Sequence, residues 1–109
     1  MSDQLTFDLE PLVAIPQEPT REEAWRTFAA ANPHIERMLV TYARDLLAMG
    51  HTRLSMRMLW ERVRFEYASR TTGDSTAALN NNHAPFFARL LMESYDDLAG
   101  VFETREKAA

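Results

Sequence analysis

Apolar residues recur along this chain with the period of a helix. Trp25, Phe28 and Ala29 stand at i, i+3 and i+4, one buried stripe of a first helix. Thr20 and Glu23 have the capping-box spacing, and Glu22 and Glu23 suit the positive end of a helix, so this element begins at Thr20. It stops near Ala31, because Pro33 disfavours a helical Asn32. A second helix follows with Asn32 as its cap, Pro33 at its first position and Gly50 closing it. Ile35, Met38, Leu39, Tyr42, Leu46 and Met49 trace its apolar stripe, with Arg37, Thr41, Arg44 and Ala48 opposite.

A third helix spans about Ser55 to Ala68, with Met56, Leu59, Trp60, Val63 and Tyr67 on one face. Met58 and Phe65 make a second, narrower stripe, the pattern of a helix wedged between neighbours. Residues 69–79 are rich in turn formers, and Gly73-Asp74 offers the tight turn of a small β-hairpin. The fourth helix follows Asn80-Asn81-Asn82, one of which caps it, with Pro85 in its first turn. Phe86, Phe87, Ala88, Leu90, Leu91 and Met92 leave only a polar edge of Asn82, Arg89 and Glu93, which predicts the central buried helix. A last turn over 96–99 leads past Gly100 to Val101-Phe102, which packs back on the body.

The pattern predicts an all-α fold: a compact bundle of four main helices with a long loop between the third and fourth. Pro11, Pro16 and Pro19 forbid a continuous helix over residues 1–19. That stretch reads as an extended arm anchored by an apolar run, within which Leu12, Val13 and Ile15 are candidate partner-binding residues. Residues 20–106 form the single helical domain and 107–109 a tail.

Composition narrows the function. The chain has 109 residues, 46% of them hydrophobic, which suits one globular domain. No apolar run is long enough for a membrane span, and the first residues lack the pattern of a secretory signal. With no cysteine there is no disulfide framework, zinc ribbon or thiol nucleophile, and a cytoplasmic protein is expected. His34, His51 and His83 are far apart in sequence, none with a metal-ligand partner one helical turn away. His34 reads as a surface residue at a helix start and His51 as part of the turn after Gly50. No glycine-rich phosphate loop or nucleophile elbow is present. The expectation is no enzyme, no metal, no cofactor, no small-molecule substrate and no membrane partner.

Charge is segregated along the chain. Residues 1–50 carry −4, residues 51–92 carry +3 and residues 93–109 carry −3. A basic middle between acidic ends can meet an anion locally while the net charge stays at −4. Eleven of the twelve basic residues are arginine, as a GC-rich genome gives and as bidentate phosphate recognition also requires. The candidate nucleic-acid-binding set is Arg53, Arg57, Arg64, Arg70, Asn81, Asn82, His83 and Arg89. Arginine pairs with phosphates and guanine edges, and asparagine pairs with adenine. The connection is too long for a helix-turn-helix, so helix ends and the loop carry this set, not a groove-reading face. A plainer reading of the same residues is capping by the Asn triplet and i,i+4 pairs Arg57–Glu61, Arg62–Glu66 and Arg89–Glu93.

The segments Asn32-Pro33-His34, Leu79-Asn80-Asn81-Asn82, Ala88-Arg89-Leu90-Leu91-Met92-Glu93 and Gly100-Val101-Phe102-Glu103-Thr104-Arg105 carry a resemblance. Over roughly residues 22–106 the chain resembles a family of small helical proteins of bacteriophages, prophages and their bacterial hosts. The resemblance brings no activity or binding residues with it. It implies the work of mobile-element proteins: regulation on nucleic acid, or binding and blocking a host protein complex, as an anti-defence or anti-CRISPR-like inhibitor does. In that second reading the acidic ends mimic nucleic acid and the arm adds an anchor. A third reading is a homodimer through the Met58–Phe65 stripe.

Overall fold

Thr20 opens the first helix as its hydroxyl accepts the Glu23 N–H at 3.0 Å, the cap that the Thr20–Glu23 spacing predicts. The computed structural model describes residues 9–13, 15, 20–70 and 78–102. Four helices account for most of them: α1 (Arg21–Ala31), α2 (Pro33–Ala48), α3 (Met56–Arg70) and α4 (Ala84–Ser94). Short 3-10 turns over Asn81–His83 and Asp96–Leu98 precede and follow α4. Gly50 ends α2 at φ 103°, a left-handed backbone that glycine takes at no steric cost. The hairpin expected around Gly73-Asp74 and the tail at 107–109 lie outside the described residues.

One core joins the four helices. Met56, Leu59, Trp60, Val63 and Tyr67 of α3 are all buried, as their spacing requires. They meet Ile35, Met38, Leu39 and Tyr42 from α2, Phe28 from α1, and Phe87, Ala88 and Leu91 from α4. The centre is aromatic. Phe28, Trp60 and Phe87 lie within 6.5 Å of one another, ring centre to ring centre, in edge-on and tilted contacts. Val101 and Phe102 return to this core, and the Leu54 N–H donates to the Val101 carbonyl at 2.8 Å. Leu54 and Phe102 form an isolated parallel bridge, and the described residues contain no strand.

Several expectations need correction. The enclosed helix is α2, which buries residues on most of its circumference, including His34 and Val40. The fully apolar look of α4 is misleading: Phe86, Leu90 and Met92 are only half-buried because α4 packs on one side of the bundle. Met49 leaves the α2 stripe at 71% exposure, since it lies beyond the last helical residue. Met58 and Phe65 are 49% and 65% exposed, so α3 has a neighbour along one face and none of the described residues covers the other. His34 is a buried residue of α2, 6% exposed beneath the N-terminal segment. Asn32 occupies the cap position of α2, yet its side chain makes no capping bond and turns inward instead. No helix of the described residues is long and apolar enough to cross a membrane.

The described residues 9–13 and 15 lie on the helical body. Leu9, Leu12 and Ile15 pack on the core while Glu10, Pro11 and Val13 face outward. Asn32 meets Val13 with both ends of its amide, and the Tyr67 hydroxyl donates to the Glu10 carbonyl at 2.9 Å. At the far end of α2, Arg44 grips Asp97 with two bonds of 2.8 and 3.1 Å. Tyr95 donates to Glu36 at 2.6 Å, which fixes the turn after α4 against α2.

Candidate nucleic-acid interface

The start of α4 is built by its own sequence. The Asn80 side chain accepts the Asn82 N–H at 2.8 Å and so caps the turn that leads into the helix. With Asn80 spent on the cap, the side chains of Asn81 and Asn82 are exposed. Pro85 follows in the first helical turn, where a missing N–H is harmless. The one member of the triplet that caps is therefore Asn80, and the two candidates Asn81 and Asn82 are left on the surface.

Arg64 ties this turn to α3. Its Nη1 donates to the Leu79 carbonyl at 2.7 Å, a charge-assisted bond in a partly buried position. The same guanidinium lies 3.8 Å from Glu61. Arg64 thus belongs to the framework: it holds the segment entering α4 beside the α3 edge that carries Arg57, Glu61 and Arg64. Arg57 lies two turns before Arg64 on that edge, exposed and, among the described residues, without a carboxylate partner. The expected Arg57–Glu61 pair is replaced by Glu61–Arg64.

Arg89 is oriented by an aromatic stack. Its guanidinium carbon sits 5.7 Å from the centre of the Phe86 ring, and Phe86 stacks on Trp25 at 5.5 Å. The stack orients the exposed Arg89 one turn beyond Pro85. The sequence reading passed over Phe86 in this role, although its i,i+3 spacing to Arg89 carries the signal.

Arg70 ends α3 on the surface at 3.5 Å from Glu66, the carboxylate that also receives Arg62 at 3.1 Å. Arg62 further lies 5.1 Å from the centre of the Tyr42 ring, so the expected Arg62–Glu66 pair forms as part of a larger cluster. Arg53 is exposed in the turn before α3.

His83 leaves the candidate set. It is 4% exposed, its ring stacked on Phe28 at 4.6 Å and edge-on to Trp60 at 6.3 Å. Burial pushes its pKa below the ordinary histidine value, so it sits in the core as a neutral ring. The α1 helix packs over this turn, which is why the third residue of an otherwise exposed segment points inward.

The three arm candidates separate. Leu12 and Ile15 face the core, and only Val13 is exposed, at 47%. An anchor for an outside partner is thereby reduced to one side chain unless the segment lifts off. The described residues hold no group of three histidine, cysteine, aspartate or glutamate side chains close enough to ligate a metal. Comparisons with family models, curated proteins and solved structures gave no match to this chain.

Proposed function

We propose that this chain is a small helical regulator that works on nucleic acid through the start of α4 and the adjoining edge of α3. The observation that carries the reading is the 2.7 Å bond from Arg64 to the Leu79 carbonyl. That bond joins two sets of unpaired donors, the exposed Asn81 and Asn82 amides and the Arg57 guanidinium, on a rigid frame. Arg89, held over Phe86, adds a further arginine along α4, and the exposed Arg53 and Arg70, the latter paired with Glu66, lie near the two ends of α3. Arginine at such a surface contacts phosphates, while the paired amides suit base edges. The resemblance to small phage and prophage proteins supports regulation as the role, with the cytoplasm as its place. No catalytic step is part of this reading.

The test is an anisotropy titration of the full chain against duplex and single-stranded DNA and RNA at two salt concentrations. Binding whose affinity falls as salt rises supports the proposal, since phosphate contacts release counterions. Absence of binding to every probe at low salt overturns it.

A second reading, a protein-binding inhibitor of a host complex, is favoured by one observation: the exposed Met58 and Phe65 on α3. Under it, Phe65→Ser abolishes capture of the host complex and leaves any nucleic-acid binding unchanged.

A further inference from the structure

The segment before α1 is held in a manner that does not depend on its being covalently attached. We propose that the groove over α2 and α3 is a peptide-docking site that reads an extended, proline-containing strand by its backbone. Its ligand in trans is residues 9–15 of a second copy of this chain, exchanged between two molecules.

Three features build the site. First, its two reading groups are buried side chains with their polar atoms on the peptide. Asn32, 0% exposed, accepts the Val13 N–H at 2.8 Å and donates to the Val13 carbonyl at 3.2 Å, as a neighbouring strand would. A third bond, from Asn32 to the Phe28 carbonyl at 3.0 Å, fixes the amide's orientation. Tyr67, 2% exposed, donates to the Glu10 carbonyl immediately before Pro11. None of these contacts involves a side chain of the bound segment.

Second, the bound segment has a three-residue repeat. Leu9, Leu12 and Ile15 face inward, and Glu10, Pro11 and Val13 face outward. A strand would alternate every two residues, whereas a polyproline-type helix repeats every three and leaves its backbone groups open to side-chain donors. Pro11 favours that conformation in the free segment. Third, the outward Glu10 carboxylate meets Arg37 at 3.3 Å and His34 at 3.8 Å, which sets the register of the segment along α2.

Every one of these contacts is available to an identical segment of another molecule, because the groove and the ligand are encoded in the same chain. The body does not need its own segment to begin: α1 is closed by Thr20, not by anything earlier. Only residues 16–19 join Ile15 to Thr20 in sequence, and two of them are proline. Exchange of an identical element between protomers is a low-cost route to a dimer.

The absence of cysteine makes the test direct. Full-length Glu10→Cys protein and a size-tagged Arg37→Cys protein are mixed at high concentration, incubated, and treated with a short bis-maleimide. A covalent pair of unlike chains on a denaturing gel, lost when Leu12→Asp is added to the Glu10→Cys protein, is the expected result. A Glu10→Cys, Arg37→Cys double variant that cross-links only within itself, with no pair formed on mixing, overturns the exchange. So does a pair that persists with Leu12→Asp, which would report contact through another surface. Failure of the double variant to cross-link even within itself overturns the groove.

Discussion

Asn32 holds Val13 by both ends of its amide, accepting the Val13 N–H at 2.8 Å and donating to the Val13 carbonyl at 3.2 Å. One side chain at the corner between α1 and α2 therefore fastens the N-terminal segment to the helical body. Asn32→Ala removes these bonds and the one to the Phe28 carbonyl, three hydrogen bonds in all. The expected loss is about 2–4 kcal/mol, read from urea denaturation. Asn32→Asp keeps the acceptor and loses the donors, so it too is destabilised.

Core and surface apolar residues separate sharply. Phe28→Ala, Trp60→Ala and Phe87→Ala each remove a ring from the central aromatic cluster and should cost about 3–5 kcal/mol. Phe65→Ser removes a ring that is 65% exposed, and its midpoint in urea should stay close to that of the parent protein.

Arg64 and Arg70 differ although both lie on α3. Arg64→Ala breaks the bond to the Leu79 carbonyl and should cost about 1–2 kcal/mol, with the largest loss of amide protection at the start of α4. Arg70 is exposed and its partner Glu66 keeps the bond from Arg62, so Arg70→Ala should change stability by no more than about 1 kcal/mol. Equal losses for the two would remove the framework role of Arg64.

Stability should fall on both sides of neutrality. His83 is shifted below its ordinary pKa by burial; His34 is shifted the same way by burial first, opposed by Glu10 and assisted by Arg37. The unfolded chain then binds more protons, so this stability is full above the ordinary value of 6.5 and is lost as pH falls through the folded values. Urea midpoints at about pH 7.5 and about pH 5.5 should show the decline, and His83→Phe should reduce it. On the alkaline side, burial pushes Tyr42 and Tyr67 up to about 12. Their contribution is full below 10 and is lost as pH climbs through the folded values.

Much of the fold was legible because it rests on local signals. The Thr20 cap, Pro33, Gly50 and the five-residue face of α3 are all read from neighbours in sequence, and all stand in the structure; the Asn triplet, expected to cap α4, instead caps the 3-10 turn before it through Asn80. What sequence reading missed depends on which element lies next to which. His34 and His83 look like polar residues at helix starts, and they are buried only because the N-terminal segment covers one and α1 the other. The apolar surround of α4 promised a central helix, but hydrophobicity measures what a helix can bury, not how many neighbours the fold supplies. Asn32 reads equally well as a cap, and the distant Val13 together with the Phe28 carbonyl redirects it. In the candidate interface, Asn81, Asn82, Arg57 and Arg89 were legible as residue types; Arg64 and Phe86 acquire their orienting roles through contacts that residue type alone does not announce.

The most direct test of the proposed nucleic-acid surface compares the parent protein with Arg57→Ala and with Asn81→Ala, Asn82→Ala and Arg89→Ala combined. Each is titrated by anisotropy against the best-bound probe, alongside its melting temperature. The account predicts weaker binding for each variant at an unchanged melting temperature, with a shallower salt dependence where an arginine is lost, since fewer counterions are released. Full-strength binding by the combined variant, at the same melting temperature, would contradict it.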